Sequence, residues 1–350
     1  MDRLQLDKNA KLTGRVYFKD EVMWLGLSGS GASFTFDGTK LVLKLKGDNI
    51  AVGDNPIDYA RIAVYVDGKR VVDEMIDCAE KEITVIDRTE NAQSVVEIIK
   101  LSESPMSAVG VETFAEGSAE ALPEKPLKIE FIGDSITCGY GVDDEDENHQ
   151  FTTATEDVTK AYAYKTAKAL DAEYSMFSAS GYGIVSGYTE GDEPISEQTI
   201  PQFYCSYGFS RGNFAGTAPQ DIPWDFSKYI PQIIVINLGT NDDSYCKGDD
   251  EKAMEYAEAY EQFIEEVRSH NSDAQIICTL GIMGDRLYPF IEYAVSEYTE
   301  KTGDTKVSAK KFDVQNQADG YAADWHPTEA THEKAAQKLT DEIKSILGLS

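Results

Sequence analysis

Basic side chains are scarce in this sequence: 32 Lys and Arg stand against 62 Asp and Glu, a formal net charge of −30 over 350 residues. Such a surface repels nucleic acid and anionic membrane alike, so neither is an expected partner, and a neutral or weakly charged substrate fits better. Long apolar runs are missing too; no stretch approaches the ~18 apolar residues that cross a bilayer. Cysteine is sparse. Cys78, Cys138, Cys205, Cys246 and Cys278 show no C-x-x-C spacing, and their odd number leaves at least one thiol unpaired. They read as ordinary thiols rather than a disulfide frame or zinc site, with Cys138 assigned to core packing. The start, Met1-Asp2-Arg3-Leu4-Gln5-Leu6, lacks the basic beginning and apolar core of a signal peptide. The expectation is therefore a cytoplasmic protein, or a secreted or cell-surface one given in mature or trimmed form. No internal repeat is found, and the one biased tract is the acidic run Asp143 to Glu147. It lacks the glycine and terminal glutamate of an EF-hand loop and reads as a solvated surface loop.

What is present divides at about residue 115. Before it, short alternating runs recur: Ser33 to Phe36 and Leu41 to Leu45 flank Asp37-Gly38, while Arg61 to Val66 and Arg70 to Val72 flank Asp67-Gly68. An Asp-Gly pair between alternating runs is a strong hairpin signal, because glycine takes positive φ without steric cost. With further runs at Ile83 to Ile86 and Val95 to Ile99, residues 1–115 read as an all-β sandwich of jelly-roll type. Residues 116–126, rich in Ala, Glu and Pro, read as a linker. From 127 to 350 the pattern changes. Strand-like runs at Leu127 to Ile132, Glu173 to Phe177, Ile233 to Leu238 and Gln275 to Leu280 alternate with helical patterns at Val158 to Leu170, Glu251 to Arg268, Tyr288 to Thr302 and Thr328 to Leu347. That alternation implies an α/β domain with a parallel sheet covered on both faces. The irregular stretch Thr189 to Tyr229 carries Tyr204, Tyr207, Phe209, Phe214 and Trp224, and reads as a wall of a substrate cleft.

Chemistry gathers at a few strand ends. Ile129 to Ile132 delivers Gly133-Asp134-Ser135, which would place the Ser135 hydroxyl at the carboxyl end of the sheet, where open α/β folds hold their ligands. A serine hydroxyl needs a base within reach and donors for the oxyanion it creates. Asn241, in Gly239-Thr240-Asn241-Asp242, offers an amide beyond another strand, and His326, in Asp324-Trp325-His326-Pro327, offers an imidazole on a loop before the last helix. Pro327 bars helix at 326 and suits a first helical turn. His270 and His332, on polar helices, read as surface residues, and no role is assigned to His149.

Taken in order, Gly133-Asp134-Ser135, Ser180-Gly181, Gly239 to Asp242 and His326 resemble the four blocks of the SGNH (GDSL-type) hydrolase superfamily, and with the β domain in front the chain resembles carbohydrate esterase family 2. The resemblance implies a serine esterase that removes acetyl groups from plant polysaccharides, with no metal and no organic cofactor. It implies Ser135 as nucleophile, His326 as base, and an oxyanion hole of the Ser135 N–H, a glycine N–H and the Asn241 amide. Gly181 is preferred for that glycine, with Gly183 the alternative. Asp134, Trp224 and Trp325 are read as substrate contacts, and the partner as an acetylated polysaccharide or oligosaccharide. One departure stands out. The usual last block places a carboxylate three residues ahead of the histidine, where this chain has Ala323; Asp324 is one residue nearer. The group orienting His326 is then the Asp324 carboxylate, a main-chain carbonyl near it, or a group from elsewhere; a shift of one residue in an extended loop turns a side chain to the opposite side, so the carbonyl is preferred, with the Asp324 carboxylate kept as a catalytic candidate. Lipase or thioesterase chemistry on the same site, or a carbohydrate-binding protein with a vestigial site, are the rival readings.

Overall fold

A computed structural model describes residues 1–214 and 216–349. Among them are nine strands forming one antiparallel sheet and five forming a second, parallel sheet. The chain divides into two units: Met1–Lys125 with Phe151–Val158 and Ser206–Trp224, and Pro126–Gln150 with Thr159–Cys205 and Asp225–Ser350. The boundary thus differs from a single cut in the chain. Two later segments return to the first unit, and the stretch read as a linker is strand as far as Ala121.

In the first unit, β1 (Asp2–Leu4), a helical turn α1 (Leu6–Asn9), β2 (Lys11–Thr13), β3 (Val16–Lys19) and β4 (Val22–Leu25) lead into the long β5 (Gly31–Gly47). β6 (Ala60–Val66), β7 (Lys69–Ile76), β8 (Glu80–Lys100) and β9 (Val109–Ala121) follow. Asp67 and Gly68, at φ 51° and 77°, make the tight turn between β6 and β7 that the sequence signals. Asp37-Gly38 does not turn at all. β5 runs straight through it, paired on one side to β8 and on the other to β9, with a register shift between Gly38 and Lys40. The glycine serves close approach instead, since a Cβ there would overlap the Glu116 carbonyl and Gly117 of β9. The extra residue also resets the alternation. Phe34 and Phe36 before it, and Leu41, Leu43 and Leu45 after it, all enter the same core. A bulge changes even positions for odd ones, so one strand buries the same side on both stretches. The runs at Ile83 to Ile86 and Val95 to Ile99 are likewise one strand, β8.

The second unit holds β10 (Lys128–Gly133), β11 (Glu173–Ser178), β12 (Ile233–Asn237), β13 (Gln275–Ile282) and β14 (Val307–Val314), in the order β11-β10-β12-β13-β14. Every neighbouring pair is parallel. Helices α2 (Ser135–Cys138), α3 (Tyr162–Ala169), α4 (Thr240–Cys246), α5 (Asp250–His270), α6 (Tyr288–Thr302) and α7 (Glu329–Leu347) intervene. Successive connections run to opposite sides of β10, so the strand order reverses there. A crevice opens at the carboxyl ends on either side of such a reversal. No helix among the described residues is long and apolar enough to cross a membrane.

Candidate active site

Loops that leave the carboxyl ends of this sheet supply each candidate group. β10 ends at Gly133, and the backbone enters α2 at once, with Asp134 as its cap. The Asp134 carboxylate accepts from the Ile136 N–H at 3.0 Å, and its carbonyl accepts from Thr137 and Cys138. Ser135 is the first residue of that turn, so its own N–H has no acceptor within the helix. Asp134 is completely buried and cannot touch a substrate, which corrects the reading of it as a substrate contact. Burial, with the charge of buried Asp242 adding to it, raises the Asp134 carboxyl to about 7.

The Ser135 hydroxyl lies 2.9 Å from Nε2 of His326. Nδ1 of the same ring lies 3.1 Å from the main-chain carbonyl of Asp324. A carbonyl only accepts, so Nδ1 carries the hydrogen and Nε2 is left to accept from Ser135. The Asp324 carboxylate points elsewhere and takes the hydroxyl of Tyr140 at 2.7 Å. Tyr140 also stacks on the His326 ring, 3.9 Å between centroids at 24°, and donates its own N–H to the Ser135 carbonyl. Burial pushes the His326 imidazole down to about 4, against the opposing pull of the Asp324 carbonyl and charge.

The turn carrying the base has an unusual backbone. Asp324 and Trp325 stand at φ 53° and 60°, two consecutive left-handed residues without a glycine. Asp tolerates that region; Trp does so only at a cost. Four hydrogen bonds impose the shape: Ala323 N–H to the Asp144 carbonyl, Asp324 N–H to the His149 carbonyl, Ala322 N–H to the His326 carbonyl, and Gln315 Nε2 to the Trp325 carbonyl. The acidic run is therefore more than a solvated loop, since its backbone grips the base turn. Ala323, where the superfamily pattern has aspartate, is fully buried, and its methyl lies 2.8 Å from where a Cβ on Gly141 would sit. Gly141 is thus kept bare by the Ala323 methyl. Trp325 is 53% exposed, its ring against Tyr321.

The remaining groups follow β11 and β12. Gly181 stands at φ 79°, and a Cβ there would meet nothing within 4 Å, so its surroundings are open. Gly183 is different: its N–H donates to the Gln198 carbonyl at 3.2 Å, which removes it as an oxyanion donor. Its lack of a side chain answers to packing, because a Cβ would run into Asp242 and the Ser186 carbonyl. Asn241 Nδ2 donates to the Tyr182 carbonyl at 2.8 Å, using one of its two hydrogens. Buried Asp242 accepts the N–H groups of Ile184, Val185 and Ser186 at 2.7–3.1 Å, fixing the loop behind Gly181; burial raises its carboxyl to about 6.

Some expectations do not survive. Tyr207 and Phe214 pack in a core of the first unit beside Trp24, and Phe209 is buried, so these rings are packing and not a cleft wall. Trp224 also falls in the first unit, its ring under the Arg15 guanidinium at 5.2 Å. His332 is fully buried rather than on the surface, its Nδ1 accepting the Tyr162 N–H. Tyr140 was missed by sequence reasoning; its place five residues after Ser135, in a glycine-rich run, was the available signal.

A hydroxyl within hydrogen-bond reach of a base held in the tautomer that accepts from it is the core of a serine hydrolase site. Comparison with known proteins agrees. The GDSL-like lipase/acylhydrolase family matches residues 131–334, and the N-terminal domain of carbohydrate esterase 2 matches residues 12–126. The chain is 33% identical to the cellulase/esterase CelE of Acetivibrio thermocellus over 92% of its length, and spans 37% of that larger protein. It is 26% identical to an acetylxylan esterase / glucomannan deacetylase of Cellvibrio japonicus, over 97% of this chain and 90% of the relative. A family two carbohydrate esterase from Clostridium thermocellum, solved in complex with cellohexaose, superposes with a TM-score of 0.82 at 30% identity, covering 97% of this chain and 99% of the other. The chain belongs to the GDSL-like hydrolases and, within them, to carbohydrate esterase family 2.

Proposed function

We propose that this protein is an esterase that removes O-acetyl groups from a neutral plant cell-wall polysaccharide, xylan or glucomannan, or from its oligosaccharides, through a Ser-His dyad. The observation that carries the proposal is the chain of contacts from the Ser135 hydroxyl through His326 to the Asp324 carbonyl. Ser135 Oγ attacks the acetyl carbonyl as its proton passes to Nε2 of His326. The tetrahedral oxyanion is met by the N–H of Ser135, the N–H of Gly181 and the second hydrogen of the Asn241 amide. Nε2–H then protonates the departing sugar oxygen, leaving acetyl-Ser135, and a water activated by the same nitrogen releases acetate. The imidazolium formed on the way is eased by the Asp324 carbonyl on one edge and the Tyr140 ring on its face. Trp325, exposed next to the base, offers a flat apolar surface to a sugar ring. Support for the glycan comes from relatives: one is named for acetylxylan and glucomannan, another was crystallised with cellohexaose.

The test is acetate release from acetylated xylan and acetylated glucomannan, run beside 4-nitrophenyl acetate and octanoate. Release from at least one glycan, abolished by Ser135→Ala, with acetate preferred over octanoate, supports the reading. Activity that rises with acyl length and spares the glycans would sink it in favour of lipase chemistry.

A further inference from the structure

A second group of reactive side chains lies in the α/β unit and takes no part in the dyad. Cys205, at the end of the turn that follows Pro201–Phe203, places its Sγ 3.3 Å from Oε1 of Glu266 and 3.3 Å from Nε2 of His270. All three ligand atoms lie within 4.8 Å of one another. Glu266 and His270 are four residues apart on the last turn of α5, so the helix itself fixes their spacing. The His270 ring is held flat against Phe226, 4.0 Å between centroids at 6°. Tyr204, the neighbour of Cys205, is buried, with its hydroxyl bonded to Glu130 and to the Asn271 amide. Each ligand therefore projects from a fixed support.

We infer that Cys205, Glu266 and His270 form a binding site for a zinc ion. A thiolate, an imidazole and a carboxylate make a donor set suited to zinc, and to neither magnesium nor calcium. Zinc holds sulfur at about 2.3 Å and nitrogen or oxygen at about 2.0 Å, which in a tetrahedron sets the sulfur roughly 3.5 Å from each of the others. The observed separations of 3.3 Å need only a small outward adjustment. The exposed position of Cys205 and His270 leaves water as the fourth ligand. Binding converts the Cys205 thiol to thiolate, so one proton leaves as the metal enters. The bound ion joins the 201–205 turn to the end of α5. The wide separation of Cys205 from the other two in sequence is why no spacing motif announces the site.

The experiment titrates EDTA-treated full-length protein with zinc chloride by calorimetry in two buffers of different ionisation enthalpy, and with cobalt chloride by absorption. One saturable site, release of about one proton and a thiolate-to-cobalt charge-transfer band are expected. Cys205→Ser and His270→Gln should weaken binding at least tenfold, with circular dichroism unchanged and esterase turnover within twofold of the parent. Unsaturable binding, a saturable site without the charge-transfer band, or equal affinity in parent and both variants would overturn the inference and leave only loose attraction of cations to an acidic surface.

Discussion

Tyr140 is the residue on which the base depends without any covalent role of its own. It covers one face of His326 and holds the Asp324 carboxylate, so it steadies the imidazole and the turn together. Tyr140→Phe keeps the ring and loses the hydroxyl; we expect kcat to fall about tenfold with KM little changed, the pattern of a group acting on the chemical step. Asp324→Ala should lose on the order of 10² or less, against the ~10⁴ typical when a true triad loses its carboxylate. The two losses should not add, because both remove one hydrogen bond; additive losses in the double variant would show that Tyr140 acts independently. His326 itself sets the acid limit. Its folded pKa of about 4 lies below the ordinary 6.5, so the neutral base persists as the pH falls. The acid limb of kcat/KM is therefore expected near pH 4, and a limb near 6.5 would contradict the lowered value.

At the scale of elements, the turn Ala323–Trp325 matters more than any one of its side chains. Its left-handed residue at 324 aims the carbonyl at Nδ1. Asp324→Gly accepts that conformation freely, whereas Asp324→Val, β-branched, resists it by roughly 1–2 kcal/mol or more. The glycine variant should thus retain at least tenfold more kcat than the valine variant, and parity between them would mean that the carbonyl is not the orienting group. Much of the α/β unit was legible in sequence, because its long helices and buried strands carry their period over many residues: α6 falls where the pattern puts it, at Tyr288–Thr302. β14 was not, since only Val307 and Phe312 are buried along it and Lys310 and Lys311 guard an edge strand. The Asp37-Gly38 pair misled because a glycine needed for close approach between strands looks, in sequence, like one needed for a turn. Ser135 and His326 could be read from their motifs, one at a strand end and the other on the loop before the last helix, and they meet at 2.9 Å. A main-chain carbonyl was the preferred partner of His326 from sequence, and the structure makes it that of Asp324; which carbonyl it is could not be read, because the orientation of a backbone group depends on φ and not on residue type.

For the whole molecule, buried acids and surface acids pull in separate directions. Asp134 and Asp242, raised to about 7 and about 6, bind protons in the folded state that the unfolded chain has released, so their contribution to stability is complete below about pH 3.9 and is lost as the pH rises through 6 and 7. Asp134→Asn, which can still cap α2, should flatten the fall of Tm between pH 5 and 8; an unchanged slope would remove Asp134 from the account. The formal net charge of −30, carried mostly by exposed acids, acts at longer range. Turnover of a neutral acetylated oligosaccharide should be nearly flat from low to high salt, while any turnover of an acetylated polyuronate should rise with salt as repulsion is screened. Strong salt dependence on the neutral glycan would count against electrostatic indifference to it. There remains the main-chain oxygen that orients His326. No codon specifies it, and a scan that replaces every side chain in turn would pass over it. What descends from parent to daughter sequence at 324 is a bend in the chain, open to any residue that can make it, so this hydrogen-bond partner of His326 can outlast the loss of its own side chain.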